Sequence, residues 1–135
     1  MAEERDINNL VTLSAGEDEA RTAAFAALET CVKSNANQVN VLTNAINFNT
    51  DWEPPFKALK VWSKEHPEVE LILLADAFGH RHWICKSVFK AGKSSDMVLS
   101  LIDDEFEAVF EEIYGMPHAD WEKAPTEPFA NYLQA

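Results

Sequence analysis

Asn9-Leu10-Val11-Thr12-Leu13-Ser14 alternates apolar and polar residues and reads as a strand that ends at Ala15-Gly16. Glu17, Asp18 and Glu19 then place negative charge where a helix N-terminus favours it. Ala20, Ala24, Ala27, Leu28, Cys31 and Val32 recur at three- to four-residue spacing, with Phe25 on the flank, until Ser34-Asn35-Ala36-Asn37 breaks the pattern. The small residues on that face imply close packing onto a sheet.

Val39 to Thr50 reads as a second strand, with Leu42, Asn44, Ile46 and Phe48 on one face and Val41, Thr43, Ala45 and Asn47 on the other. Asp51-Trp52-Glu53-Pro54-Pro55 opens a short helix, because proline is tolerated in the first turn, where its missing N–H has no helical partner. That helix shows Phe56, Leu59 and Trp62 and stops at His66-Pro67. Val69 to Ala77 is a strongly apolar strand, Phe78-Gly79 a turn, and His80 to Phe89 the returning strand.

Beyond Ala91-Gly92-Lys93, Ser94 or Ser95 can cap a helix over 94–115. Val98, Leu101, Ile102, Phe106, Val109, Phe110 and Ile113 form its apolar stripe, and Asp103, Asp104, Glu107, Glu111 and Glu112 fill much of the remainder. Residues 116–135 read as an irregular segment strapped on by Trp121, Phe129 and Tyr132, with Trp121 the aromatic expected to stay exposed. The expected core is Val11, Leu13, Phe25, Leu28, Phe48, Leu59, Leu71, Leu73, Ile84, Leu101, Ile102 and Val109. This order predicts an α+β fold: a ferredoxin-like two-layer sandwich over residues 7–90, an antiparallel sheet with helices packed on one face, followed by the acidic helix and the tail.

Length and charge sharpen the picture. The 135 residues, 47% of them hydrophobic, suit one domain over 1–135. Lys and Arg number 11 against 23 Asp and Glu, a net charge of -12, which argues against direct nucleic-acid binding by phosphate neutralisation and for a basic partner. The excess is uneven: residues 1–93 hold 10 bases and 13 acids, whereas residues 94–135 hold Lys123 against 10 acids. No stretch reaches the roughly 20 apolar residues of a membrane helix, so no membrane partner is expected. The acidic Met1-Ala2-Glu3-Glu4-Arg5-Asp6 lacks the pattern of a leader, and the expected location is cytoplasmic.

Phe48, Thr50, Trp52 and Pro54-Pro55, within Ile46-Asn47-Phe48-Asn49-Thr50-Asp51-Trp52-Glu53-Pro54-Pro55, are similar to an aromatic, any residue, Thr, any residue, Trp, any residue, Pro-Pro signature. Together with Leu59, His66-Pro67-Glu68 and the strand ending at Gly16, this resembles the ferredoxin-like domain of YubB-type proteins of plasmids and bacteriophages, over roughly residues 7–90. The resemblance implies a fold and a mobile-element origin, and no catalytic residues. Independently of it, Trp52 is expected to cover the end of the sheet while Pro54-Pro55 fix the start of the helix.

Candidate chemistry is sparse. His80 and His82, flanking Arg81 before Trp83, would project to one side of a strand and could begin a metal site with Asp76. Further ligands at metal spacing are missing, so neither a metal nor another cofactor is expected and the tetrapeptide reads as a polar hairpin face. Cys85 is expected on the opposite side of that strand, and Cys31 and Cys85 read as buried thiols rather than nucleophiles. Asp103-Asp104 with Glu107, or Glu111-Glu112, are spaced as solvated acids on a helix rather than a catalytic pair. The four glycines stand singly and build no phosphate loop.

The functional expectation is a non-enzymatic phage- or plasmid-type protein that inhibits a host or competitor nucleic-acid-binding machine, an anti-CRISPR or anti-restriction role. Asp103, Asp104, Glu107, Glu111, Glu112 and Trp121 would meet the basic partner, the carboxylates standing in for phosphates. The alternatives are a small metal or cysteine enzyme around His80, His82 and Cys85, and a module that self-associates, as a homodimer, through a sheet edge or its aromatic tail.

Overall fold

The period-two alternation of β1 (Asp6–Ala15) sends Leu10 into one core and Val11 into another, on opposite faces of one sheet. The computed structural model describes residues 6–133, with the side chains of Ala15 and His80 outside that description. β1 pairs with β3 (Ala45–Asp51) on one side and β4 (Glu70–Asp76) on the other. β2 (Asn37–Val41) adds beyond β3, and β5 (Ile84–Lys90) and β6 (Lys93–Leu99) add beyond β4. The order is β2-β3-β1-β4-β5-β6, with antiparallel pairing throughout. The fold is α+β.

Both faces of this sheet are covered. On one, α1 (Asp18–Asn35) and α2 (Phe56–Glu65) set Ala24, Leu28, Val32, Leu59 and Trp62 against Val11, Ile46, Phe48, Leu71, Leu73 and Phe89. On the other, α4 (Phe106–Tyr114) sets Phe106, Val109, Phe110 and Ile113 against Leu10, Ala45, Leu74, Ile84 and Leu99. Helices on one face only therefore describes α1 and α2 but not the C-terminal third. The strap is part of the second core: Phe129 is fully buried and its N–H reaches the Ile113 carbonyl at 2.7 Å. Residues 116–133 also carry more regular structure than expected, with short helices α5 (His118–Lys123) and α6 (Ala130–Leu133).

The chain departs from the sequence reading at three further places. The single strand expected over Val39 to Thr50 folds back as the β2–β3 hairpin, its turn closed by Leu42 N–H donating to the Ala45 carbonyl at 2.8 Å. The strand expected from His80 begins only at Ile84. Phe78 to Arg81 instead make one helical turn, α3 (Phe78–Arg81), with His82 in the left-handed region as its cap, so His80 and His82 do not share a strand face.

The third departure is the largest, because residues 93–99 are β6 and not the first half of a helix over 94–115. Ala91 and Gly92 both have positive φ, 51° and 81°, the geometry of a two-residue hairpin turn that lays β6 beside β5. Leu101 and Ile102 then fall in the connecting turn, 55% and 91% exposed, and leave the predicted core. Leu13 and Phe25 are half-buried, and the remaining predicted core residues are buried.

Within the first core, fully buried Asn9 on β1 donates through Nδ2 to Thr50 Oγ1 at 2.9 Å, and Thr50 donates in turn to the Glu53 carbonyl at 2.7 Å. This relay holds the link from β3 to α2 in place ahead of Pro54 and Pro55. Trp52 does not cap the sheet. It is 55% exposed with φ 68°, and the Arg81 guanidinium lies 4.7 Å from its ring centroid.

Candidate acidic interaction face

α4 forms because Phe106, Val109, Phe110 and Ile113 recur at helical spacing, and burying that side turns Glu107, Ala108, Glu111 and Glu112 outward. Gly115, in the left-handed region, ends it and returns its N–H to the Glu111 carbonyl at 2.8 Å. The chain then reverses at Pro117 into α5, which packs against α4.

The five predicted carboxylates divide by duty. Asp103 is half-buried and shapes the turn before α4, its Oδ2 accepting from Ser100 N–H at 2.7 Å. Glu112 is committed to Lys86 on β5, with Nζ 3.0 and 3.1 Å from its two oxygens. Glu107 is exposed and accepts from the His118 N–H at 3.3 Å. Asp104 and Glu111 are exposed, and neither makes a side-chain hydrogen bond or ion pair among the described residues. The open part of the face is therefore Asp104, Glu107 and Glu111. Glu105, Asp120, Glu122 and Glu127, also exposed, add charge that the sequence showed only as an excess after residue 93.

Trp121 supports this face from beneath. It is half-buried, its Nε1 donates to the Thr126 carbonyl at 3.0 Å, and its ring meets Phe110 and Tyr114 at 5.8 and 5.3 Å between centroids. The expected exposed tryptophan is thus a packing residue, and the exposed one is Trp52. His118 completes the layer, 14% exposed at its side chain, with Nδ1 3.1 Å from Glu122 Oε1.

Where α4 meets the end of β4, a cleft of about 240 Å³ is lined by Asp6, Asn8, Asn49, Asp76, Tyr114 and Glu127 among others. Tyr114 donates its phenolic proton to Asp76 Oδ1 at 2.7 Å, and the same oxygen accepts from Phe78 N–H at 3.3 Å. Burial first, then the Asp76 charge, push the Tyr114 phenol far above its ordinary value. It is a permanent donor at neutral pH and not a base.

The thiols are similarly quiet. Cys85 is fully buried on the α2 side of the sheet beside Ser87, and burial pushes its thiol up to about 11. Cys31 is half-buried near the Ala58 carbonyl and is raised by burial and by Glu65. Both are free thiols. His82 is exposed and meets the Phe78 ring edge-on at 6.0 Å, with no bond to Cys85 among the described residues, while the His80 side chain lies outside them. Among the described residues no group of three or more His, Cys, Asp and Glu is arranged to hold a metal ion, and no helix is long and apolar enough to cross a membrane.

No protein-family profile matches the chain, and neither the curated proteins nor the solved structures give a match.

Proposed function

We propose that this chain is a non-enzymatic inhibitor of phage or plasmid type that occupies the phosphate-binding groove of a basic nucleic-acid-binding protein. The observation that carries the reading is the set of exposed carboxylates Glu107 and Glu111 on α4, whose opposite side is buried, with exposed Asp104 in the turn that leads into it. Arg and Lys side chains built for phosphates accept carboxylates through the same charge-assisted bonds, and a rigid helix loses little freedom on docking. The net charge of residues 94–135, Lys123 against 10 acids, would speed encounter with a basic groove.

We also assign the first four strands with α1 and α2 to a ferredoxin-like body related to the YubB-type domain. The order β2-β3-β1-β4, with both helices on one face, supports this reading. The bond from Thr50 to Glu53 gives the Thr-x-Trp-x-Pro-Pro segment a structural role in it.

The test is displacement of a labelled DNA duplex from a panel of restriction and RNA-guided nucleases, followed by fluorescence anisotropy. The wild type should release the duplex from at least one, and a variant with Asp104→Asn, Glu107→Gln and Glu111→Gln should need about tenfold more protein. No displacement across the panel, or equal displacement by the variant, would overturn phosphate mimicry by this face.

A further inference from the structure

Outward from α2, Lys57, Lys60 and Lys64 stand exposed at positions i, i+3 and i+7, with Val61, 56% exposed, among them. Glu65 flanks Val61 one turn on. The three lysines make no side-chain hydrogen bond or ion pair among the described residues. The β5–β6 turn sets exposed Lys90 and Lys93 near the same end, since a Cβ on Gly92 would lie 3.1 Å from Lys64 Cβ.

On the other face of the sheet the acids repeat this spacing. Asp104, Glu107 and Glu111 stand at i, i+3 and i+7, with exposed Ala108 in the place of Val61. The lysine set spans about 10 Å at 1.5 Å per helical residue, while of the acids Glu107 and Glu111 lie on α4 and Asp104 in the turn just before it. Because α2 and α4 cover opposite faces, the two stripes of one molecule cannot meet.

We propose that the lysine stripe of one molecule docks on the acidic stripe of a second copy, head to tail. Val61 would sit against Ala108, with three lysine–carboxylate pairs around them. The two surfaces differ, so the contact is heterologous: each added copy leaves one stripe of each sign open, and the assembly closes as a ring or grows as a chain. The contact rests on exposed pairs and is weak. The overall charge of -12 opposes it most at the lowest ionic strength, so exchanging charges tests it better than varying salt. It needs no foreign partner, and its outcome is separate from that of the inhibitor reading.

Sedimentation velocity on the purified chain at about 0.15 M salt, up to about 1 mM protein, reads the association. The wild type should gain mass with concentration. A variant with Lys57→Glu, Lys60→Glu and Lys64→Glu and another with Asp104→Lys, Glu107→Lys and Glu111→Lys should each self-associate about tenfold or more weakly, while their equimolar mixture regains the loss. Circular dichroism checks folding. Should the lysine-bearing variant fail to fold, the milder pair Asp104→Asn and Glu111→Gln should still weaken wild-type association. A monomeric wild type throughout, or a mixture no tighter than its parts, overturns the proposal. Association that survives both variants overturns it in favour of the β6 edge, and duplex DNA binding lost with the lysines, without self-association, overturns it in favour of nucleic acid.

Discussion

Tyr114 on α4 donates its phenolic hydrogen to Asp76 Oδ1 at the end of β4, 2.7 Å away and 38 residues back in the chain. The bond pins the acidic helix to the sheet. Tyr114→Phe keeps the ring that stacks on Phe110 at 4.4 Å and removes only the donor. It should cost about 1.5–3 kcal/mol in chemical denaturation, the range for hydrogen bonds to charged groups. Because the folded pKa is raised, the stabilisation is fully present below the ordinary phenol value of about 10 and drains away as pH rises above it. The gap between wild type and Tyr114→Phe should therefore be flat through neutral pH and shrink in alkali. A gap that widens there would contradict the bond.

The division of residues 93–114 into strand, turn and helix can be tested by two substitutions. Ile102→Asp should leave stability within about 0.5 kcal/mol, since the side chain is 91% exposed. Phe129→Ala, which empties a fully buried site under α4, should cost about 3–5 kcal/mol. Paired denaturation curves check both, and a large loss at Ile102 would restore one continuous helix.

The β5–β6 turn places alanine and then glycine in the left-handed region, where a β-carbon is unfavourable. Ala91→Asn should stabilise the protein by about 0.5–1 kcal/mol, because asparagine suits the first position of such a turn. Gly92→Ala should destabilise it by about 1 kcal/mol or more, through both φ and the approach to Lys64. Melting temperatures moving in opposite directions would support the turn, and two changes of the same sign would count against it.

Part of the candidate face could be read in advance and part could not. The acid excess after residue 93 and the outward side of α4 follow from composition and a 3.6-residue period, signals carried by neighbouring residues. Asp103 needed the turn from Ser100, Glu112 needed Lys86 on β5, and Trp121 needed the ring cluster, each a partner invisible to local periodicity.

The sequence by itself determined where β1, α1, α2 and β4 form, since each has a clear period and a clear stop, and it determined where the charge lies. Only the tertiary structure decided the β2–β3 hairpin, the strand at 93–99 and the second covered face. The apolar residues Val98, Leu101 and Ile102 fit a helix by spacing, but that helix would have to forgo the pairing that β5 offers along its open edge. A turn at Ala91-Gly92 takes up that pairing, and the strand hydrogen bonds outweigh the local helical pattern.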